Sequence, residues 1–244
     1  MWHLEYFQRF DLPTQLKARV IVWSVDSDRA AREASIRLQA LLASNDDQES
    51  AELIRVLANC TSGKPCGSSA CPICDRTTRV KFVGNSTRRI ARDPVDWSVV
   101  CLVPPGLGFH MNQLHQFDPR EFKDQVRGHI EASELSGAPA VGSIGLAVQA
   151  IKRCPFWRPY LELVIRGSKN PVSDVFARHY EPRQSTPRPV NVRILDKAAL
   201  LINAVSNTDT AQAGLNDDQW REIAPLLHQW GFAGRLICRN WRVA

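Results

Sequence analysis

The chain has 244 residues, of which 44% are hydrophobic and 23% charged, a composition that excludes a wholly disordered polymer. The 31 basic and 25 acidic residues give a net charge of +6, and this basic excess favours an anionic partner. The N-terminal MWHLEYFQRF lacks the pattern of a signal peptide, and the most apolar window, residues 139–151, is too short to cross a bilayer. We therefore expect a cytoplasmic protein without membrane contact.

The first part of the chain is predicted to be mainly helical. ARVIVWSV at 18–25 indicates a strand, and Asp28 can cap a helix that follows it. A second helix is expected from Asp47 to Ala58. After a cysteine-rich segment, TRVKFV at 78–83 is interpreted as a short strand that leads into a basic loop.

The second part alternates strands and helices. WSVVCLV at 97–103 is a continuous apolar run, typical of a buried strand. Asp118 can cap a helix with Pro119 at its first position. Two strands at 142–151 and 160–165 are predicted to form a hairpin, with KRCPFWRP as the connecting turn.

The C-terminal part is predicted to hold two helices, one starting at Asp196 and one running from Asn216 to Trp230, and then a last strand. This order of elements predicts an α+β fold in which an antiparallel sheet has helices packed on one side. We divide the chain into an N-terminal helical segment with a cysteine module, residues 1–94, and an α+β domain with a C-terminal helix and strand, residues 95–244.

Four of the seven cysteines lie within 15 residues, with the spacing C-x5-C-x4-C-x2-C: Cys60, Cys66, Cys71 and Cys74. Clustered cysteines in a reducing compartment are more often metal ligands than disulfides. Glycine and proline residues between them supply the turns that a tetrahedral zinc requires. The sequence therefore predicts a structural Zn²⁺ with four thiolate ligands, and the alternatives are redox chemistry and unmetallated thiols.

Basic residues collect in two parts of the sequence, and clustered positive charge is typical of a surface that binds phosphates. Trp157 could stack on a base or pack in the core. The predicted nucleic-acid contacts, including that tryptophan, are Arg76, Arg79, Lys81, Arg88, Arg89, Arg92, Arg153, Trp157, Arg158 and Arg166.

The motif CGSSACPIC at 66–74, followed later by Trp157-Arg158-Pro159 before an apolar strand, resembles rolling-circle replication initiators and their relatives, the HUH endonucleases. In that family a cysteine cluster often precedes the nuclease domain, and a W-x-P approach leads into His-apolar-His on a strand. The resemblance implies an antiparallel-sheet nuclease fold of the HUH/Rep-like type and a nucleic-acid partner, most simply DNA.

The resemblance places Tyr160 and Glu162 where the family has its two metal-binding histidines. Residues two apart on a strand point the same way, so the family's histidines can clasp one metal while a tyrosine attacks the phosphate. In this chain Glu162 could ligate Mg²⁺ or Mn²⁺, and Tyr180 is the candidate nucleophile. Tyr160 and Glu162 could equally be ordinary polar residues of the sheet.

These features lead to one main hypothesis and two alternatives. The main hypothesis is a DNA-binding protein derived from a replication initiator, with a degenerate active site and no intact nicking activity. The first alternative is an active metal-dependent tyrosine nickase. The second is a zinc-stabilised interaction subunit that meets protein partners in a replication or mobile-element complex.

Overall fold

The computed structural model describes residues 27–43, 48–151, 154–195 and 215–241. Within these ranges the helices are α1 Ser27–Leu42, α2 Gln48–Ala58, α3 Pro72–Arg92, α4 Pro119–Glu131, α5 Lys169–His179 and α6 Asp217–Arg235, with a short 3-10 helix at Leu114–Gln116. The strands are β1 Trp97–Leu102, β2 Phe109–His110, β3 Ala140–Ile151, β4 Cys154–Arg166, β5 Val190–Ile194 and β6 Leu236–Arg239. The predicted strand at 18–25, the predicted helix from Asp196 and the candidate contact Arg153 lie outside the described residues.

The described strands form one antiparallel sheet of six strands in the order β5-β1-β4-β3-β6, with the short β2 pairing to the start of β4. Apart from the short β2 and the 3-10 helix, the chain from β1 to β5 runs strand, helix, strand, strand, helix, strand. With β1 and β4 in the centre, this is the split βαβ or ferredoxin-like arrangement. The α+β prediction with an antiparallel sheet is therefore confirmed.

All the described helices except α3 pack on one side of the sheet, where they bury the main hydrophobic cluster. Leu161, Leu163 and Ile165 of β4 point into this cluster, together with Val126 of α4 and Phe176 of α5. Helix α6 contributes further apolar side chains, and so do α1 and α2 on the N-terminal side of residue 94. The two segments that the sequence divides at residue 94 thus share one core.

A smaller cluster lies on the opposite face of the sheet. Strand alternation turns Trp97 and Val99 of β1 and Val164 of β4 to this face, away from the helices of the main cluster. Ile90, near the end of α3, packs against them. The long helix α3 therefore reaches across to the second face, and this places its basic side chains beside that face.

The predicted cap at Asp118 is confirmed, whereas Asp28, predicted to cap the helix that follows it, lies inside the first turn of α1, which begins at Ser27. Asp118 accepts a hydrogen bond from the Arg120 backbone N–H at 2.7 Å, and Pro119 begins α4. Asn216 and Gln219 form a reciprocal capping box at the start of α6. These interactions join residues two or three positions apart, so they depend on the local sequence.

The predicted strand at 78–83 is wrong, because these residues lie inside α3. The alternation in TRVKFV is only six residues long, and so short a window does not separate a strand from a helix. Pro72 at the first turn begins the helix, and its later residues Phe82 and Ile90 pack on the second cluster. Tertiary packing therefore decided the structure of this segment.

The predicted KRCPFWRP turn is also wrong, because residues 154–159 belong to β4 and pair with β3. The two prolines of this segment suggested a break in the strand. Pro159, however, lies between the part of β4 that pairs with β2 and the part that pairs with β1, so one side of the strand has no ladder partner there among the described strands. Helix α5 and strand β5 were not predicted.

The structure contains no apolar helix long enough to traverse a lipid bilayer, as far as its described residues extend.

Candidate metal centre and nucleic-acid interface

The four clustered cysteines are brought together by the end of one helix and the beginning of the next. Cys60 follows α2, Cys66 lies in the connecting loop, and Cys71 and Cys74 occupy the N-cap and first turn of α3. Within the loop, Gly67 has a φ of 76°, a left-handed conformation that glycine adopts without steric cost. The loop can therefore turn back so that all four sulfur atoms converge.

The geometry of the four sulfur atoms suits a tetrahedral metal ion. All four Sγ atoms lie within 4.8 Å of one another. The Cys60–Cys74 and Cys66–Cys74 distances are 3.6 Å, and the Cys60–Cys71 distance is 3.4 Å. A tetrahedron with zinc–sulfur bonds of about 2.3 Å has edges of about 3.8 Å. The cluster could hold a metal ion, and its dimensions are consistent with zinc.

The electrostatics of the cluster also favour a bound cation. Burial raises the pKa of Cys66 to about 12, and the charge of the neighbouring Cys74 contributes in the same direction. Burial also acts to raise the pKa of Cys60, but hydrogen bonds from the Cys66 backbone and from neighbouring thiols outweigh it and lower that pKa. The Gly67 N–H also donates to Cys74 Sγ at 3.3 Å. The protein thus supports partial ionisation, and a divalent cation would stabilise the remaining thiolates.

The cysteine module is attached to the sheet domain through α6. Ser69 Oγ donates a hydrogen bond to the Leu227 carbonyl, and His228 Nδ1 lies 3.0 Å from Ser68 Oγ. In the first turns of α3, Asp75 pairs with Arg235 at 3.4 Å. A metal ion that orders the loop would therefore also order the contact between α3 and the rest of the fold.

Three of the six predicted basic contacts on α3 share one exposed face. Lys81, Arg88 and Arg92 are exposed and recur seven and four residues apart, so they lie along one side of the helix. This row spans about 16 Å along the helix axis at about 1.5 Å per residue. We refer to these three residues as the basic row.

The other three basic residues of α3 are turned toward the protein. Arg76 is half-buried. Arg79 pairs with Asp75 at 3.0 Å. Arg89 donates to the Asn240 carbonyl at 3.2 Å, and its guanidinium lies 4.7 Å from the centre of the Trp241 ring. These side chains stabilise the fold around α3, and the sequence could not separate them from the basic row.

The remaining predicted contacts have different environments. Trp157 is fully buried, and its indole N–H donates to Glu222 at 2.7 Å. Of the two alternatives for this residue, packing in the core is therefore the one that the structure shows, and the ring has no open face for a base. Arg166 pairs with Asp93 at 3.0 Å and is half-buried. Arg158 is buried beside a groove, and it has no ion-pair partner within the described ranges.

Tyr160 and Glu162 lie on the face of β4 that carries the second cluster, and this part of the face is filled by protein. The Tyr160 ring lies over Gly145 of β3, and Glu162 is only 7% exposed. A cavity near their strands has a volume of about 20 Å³, room for about one water molecule, and its lining includes Arg79 and Arg235. Burial and the nearby Glu162 charge strongly raise the pKa of the Tyr160 phenol.

Tyr180 lies on the other side of the sheet from Glu162. It follows α5 as its C-cap, and its buried side chain belongs to the main cluster, whereas alternation along β4 turns Glu162 to the opposite face. The sheet separates the candidate nucleophile from the candidate metal ligand, so these two residues do not form one site.

One groove in the structure was not predicted from the sequence. It has a volume of about 360 Å³ and is lined by Gly106, Leu107, Gly108, Phe109, His110, Phe156, Arg158 and Ser185. The available signal was the glycine-rich stretch PPGLGFH at 104–110, because glycines in a loop permit close approach of a ligand to the backbone. Nothing in the sequence indicated that this loop meets the start of β4.

The comparisons with known proteins assign no function, so the function is inferred from the fold and from the residues described above. No family model matches the chain, and no match is found among curated proteins or among solved structures.

Proposed function

We propose that this chain is a nucleic-acid-binding protein, with DNA as its partner, that derives from a replication initiator of the HUH class and does not cut the strand it binds. The ancestry rests on the cysteine motif CGSSACPIC and on the Trp157-Arg158-Pro159 approach to a strand. The binding function rests on the basic row of α3.

The basic row is the observation that carries the proposal. Its three cations are exposed on one side of a single helix, and a rigid row of this kind can contact several phosphates at once. Such contacts hold a nucleic acid without reading its sequence. The row is not dispersed over the surface as a merely solubilising set of charges would be.

In this proposal the cysteine cluster binds one structural Zn²⁺, which leaves no open position for a catalytic water when all four thiolates are ligands. The metal fixes the beginning of α3, because Cys71 and Cys74 lie at its N-cap and first turn. Zinc binding thus holds the basic row in a defined orientation. Loss of zinc is expected to weaken nucleic-acid binding through this helix.

The positions of the candidate catalytic residues support the proposed absence of cutting. Tyr180 and Glu162 lie on opposite sides of the sheet, and Tyr160 is packed over Gly145. Burial strongly raises the pKa of both tyrosines, which disfavours the phenolate that would attack phosphorus. Nicking would require a rearrangement of the sheet face.

The proposal is tested by measuring binding to fluorescent single-stranded DNA, duplex DNA and RNA of one sequence over a range of salt concentrations. The test variant changes the basic row to Lys81→Gln, Arg88→Gln and Arg92→Gln. We expect the magnitude of the log–log salt slope on duplex DNA to fall by about 2.7, because each lost phosphate contact removes about 0.9.

The matched control changes three exposed cations on the helical side of the sheet: Arg120→Gln, Lys169→Gln and Arg178→Gln. It carries the same loss of charge, and we expect its salt slope to stay close to that of the wild type. Equal effects of the two triple variants would show that only net charge matters and would refute a site on α3. Undetectable binding by the wild type would refute the function itself.

The absence of nicking is tested on the same oligonucleotides with Mg²⁺ or Mn²⁺ present. We expect no cleavage and no covalent protein–DNA adduct. Cleavage that is lost in Tyr180→Phe or Tyr160→Phe would establish the nickase alternative.

A further inference from the structure

The groove beside Arg158 lies near the N-terminal end of β4, where this strand pairs with β2. His110 of β2 pairs with Phe156 of β4, and Arg158 follows two residues later on the same face of the strand. The loop at 104–108 and Ser185 complete the lining. This groove is separate from the basic row, because none of its lining residues belongs to α3.

Arg158 is a buried cation without a compensating anion in the described part of the chain. The residue is only 6% exposed. Its Nη1 donates to the Ser185 carbonyl at 3.1 Å and to Gln149 Oε1 at 3.4 Å, while its Nε has no hydrogen-bond partner among the described residues. Burial lowers the pKa of the guanidinium, and no carboxylate within the described ranges opposes that effect.

A buried charge that has neither a paired charge nor full hydrogen bonding destabilises a fold. Proteins that retain such a group commonly use it to bind an ion or a substrate of opposite charge. A guanidinium presents a planar set of N–H donors that matches the oxygens of a phosphate group. The polar end of the groove therefore suits a phosphate.

The rest of the groove is apolar and aromatic. Phe156 lies within 3.2 Å of the position that a Cβ on Gly108 would occupy, so the glycine loop closes tightly against its ring. Leu107 and Phe109 add further apolar surface. At the rim, Arg183 Nη1 lies 3.0 Å from the position of a Cβ on Gly106, which places a second guanidinium near the groove.

We propose that this groove binds one unstacked nucleotide, with its phosphate on Arg158 and Arg183 and its base against Phe156 and Leu107. Its volume of about 360 Å³ falls in the range of small-ligand sites, about 300–1,000 Å³. The inference goes beyond the proposed function, since the basic row contacts phosphates only, and it does not depend on that row. The nucleotide can be free or the phosphorylated end of a single strand.

The test is calorimetric titration of the full chain with inorganic phosphate, thymidine monophosphate and a 5′-phosphorylated oligothymidine. We expect the monophosphate to bind at least about tenfold more tightly than phosphate, because base–aromatic stacking adds to the affinity. The comparison of the two nucleotide sources is made in the basic-row variant, where α3 no longer adds phosphate contacts. There, equal affinities for the monophosphate and the oligonucleotide identify a free nucleotide as the ligand, and tighter binding of the oligonucleotide identifies a strand end.

Two variants report on the cations. Arg158→Met keeps the length and apolar character of the buried stem, and we expect it to weaken monophosphate binding by about tenfold to a hundredfold. Arg183→Gln changes an exposed side chain, so it tests the site even if the first variant folds poorly. Arg188→Gln, an exposed arginine outside the groove lining, is the matched control and is expected to bind like the wild type.

Three results would overturn the inference. One is the absence of monophosphate and oligonucleotide binding to the wild type in a chain that is otherwise folded. The second is monophosphate binding no tighter than that of inorganic phosphate, which would remove the base contact. The third is unchanged monophosphate affinity in folded Arg158→Met and in Arg183→Gln. The basic-row variant should retain monophosphate binding. A failure of the proposed DNA-binding site on α3 can therefore be distinguished from a failure of the proposed nucleotide site in the groove.

Discussion

The close approach of Gly145 and Tyr160 provides a direct test of how the second face of the sheet is filled. A Cβ added to Gly145 would lie 2.3 Å from Tyr160 Cζ and 2.5 Å from its hydroxyl oxygen. Carbon atoms in van der Waals contact are about 3.5–4.0 Å apart, so the ring would have to move by more than about 1 Å. We expect Gly145→Ala to lower the free energy of unfolding by about 1–3 kcal/mol, the usual cost of overpacking.

The obstacle at Gly145 is a side chain, so truncating that side chain should remove it. In a Tyr160→Ala background, Gly145→Ala is expected to be neutral or to stabilise by about 0.5–1 kcal/mol, because alanine loses less backbone entropy on folding than glycine. The two substitutions are therefore coupled by about 1–4 kcal/mol. The assay is urea denaturation of the four proteins of the double-mutant cycle, with midpoints compared at constant slope.

Gly142 is the matched control, because a Cβ there would lie 2.1 Å from the Glu162 carbonyl oxygen, a backbone atom. Gly142→Ala should destabilise the wild-type chain and the Tyr160→Ala variant by the same amount. Additive effects of Gly145→Ala and Tyr160→Ala would refute the reasoning, since they would show that the Tyr160 ring does not lie over β3.

Three further outcomes are expected. Purified protein should contain about one zinc per chain by elemental analysis, and removal of the zinc by a chelator under reducing conditions should lower the helical circular dichroism signal. The reason is that structural zinc binding contributes about 10–16 kcal/mol, which is comparable to the stability of a whole domain. Folded protein without zinc would contradict this expectation. Glu222→Ala should cost about 1–3 kcal/mol in urea denaturation because the buried Trp157 N–H loses its acceptor, and Glu222→Gln should cost less. Burial and the charge of His179 lower the pKa of His129, so the unfolded chain binds the proton more tightly than the folded chain. The contribution of His129 to stability should therefore be complete above about pH 6.5 and should decrease as the pH falls below that value. When the free energy of unfolding is measured from pH 7.5 to 5, His129→Gln should show a smaller pH dependence than the wild type.

The sequence predicted best those features that depend on residues close together in the chain. The convergence of Cys60, Cys66, Cys71 and Cys74 follows from their spacing and from the turn-forming residues between them. The start of α4 follows from Asp118, which caps the helix through its own side chain. A local hydrogen bond or a tight turn is stabilised by a few neighbouring residues, and no distant contact is needed to form it.

Features that depend on distant pairing were predicted poorly. Residues 78–83 look like a strand in isolation, but they form part of α3 because that helix packs on α1 and on the second face of the sheet. The segment at 154–159 looks like a turn, but it extends β4 because β3 supplies a full-length antiparallel partner. Each case is a tertiary contact that overrides a weak local preference.

By itself the sequence determined a cysteine cluster fit for a tetrahedral metal, a basic segment beside it, and an antiparallel α+β domain. Only the tertiary structure decided that Tyr180 and Glu162 lie on opposite sides of the sheet, and that Arg158 is buried while Lys81 is exposed. The physical reason is that residue type sets what a side chain can do, whereas strand register and helix packing set which side chains meet. Strand register and helix packing depend on contacts between residues far apart in the chain.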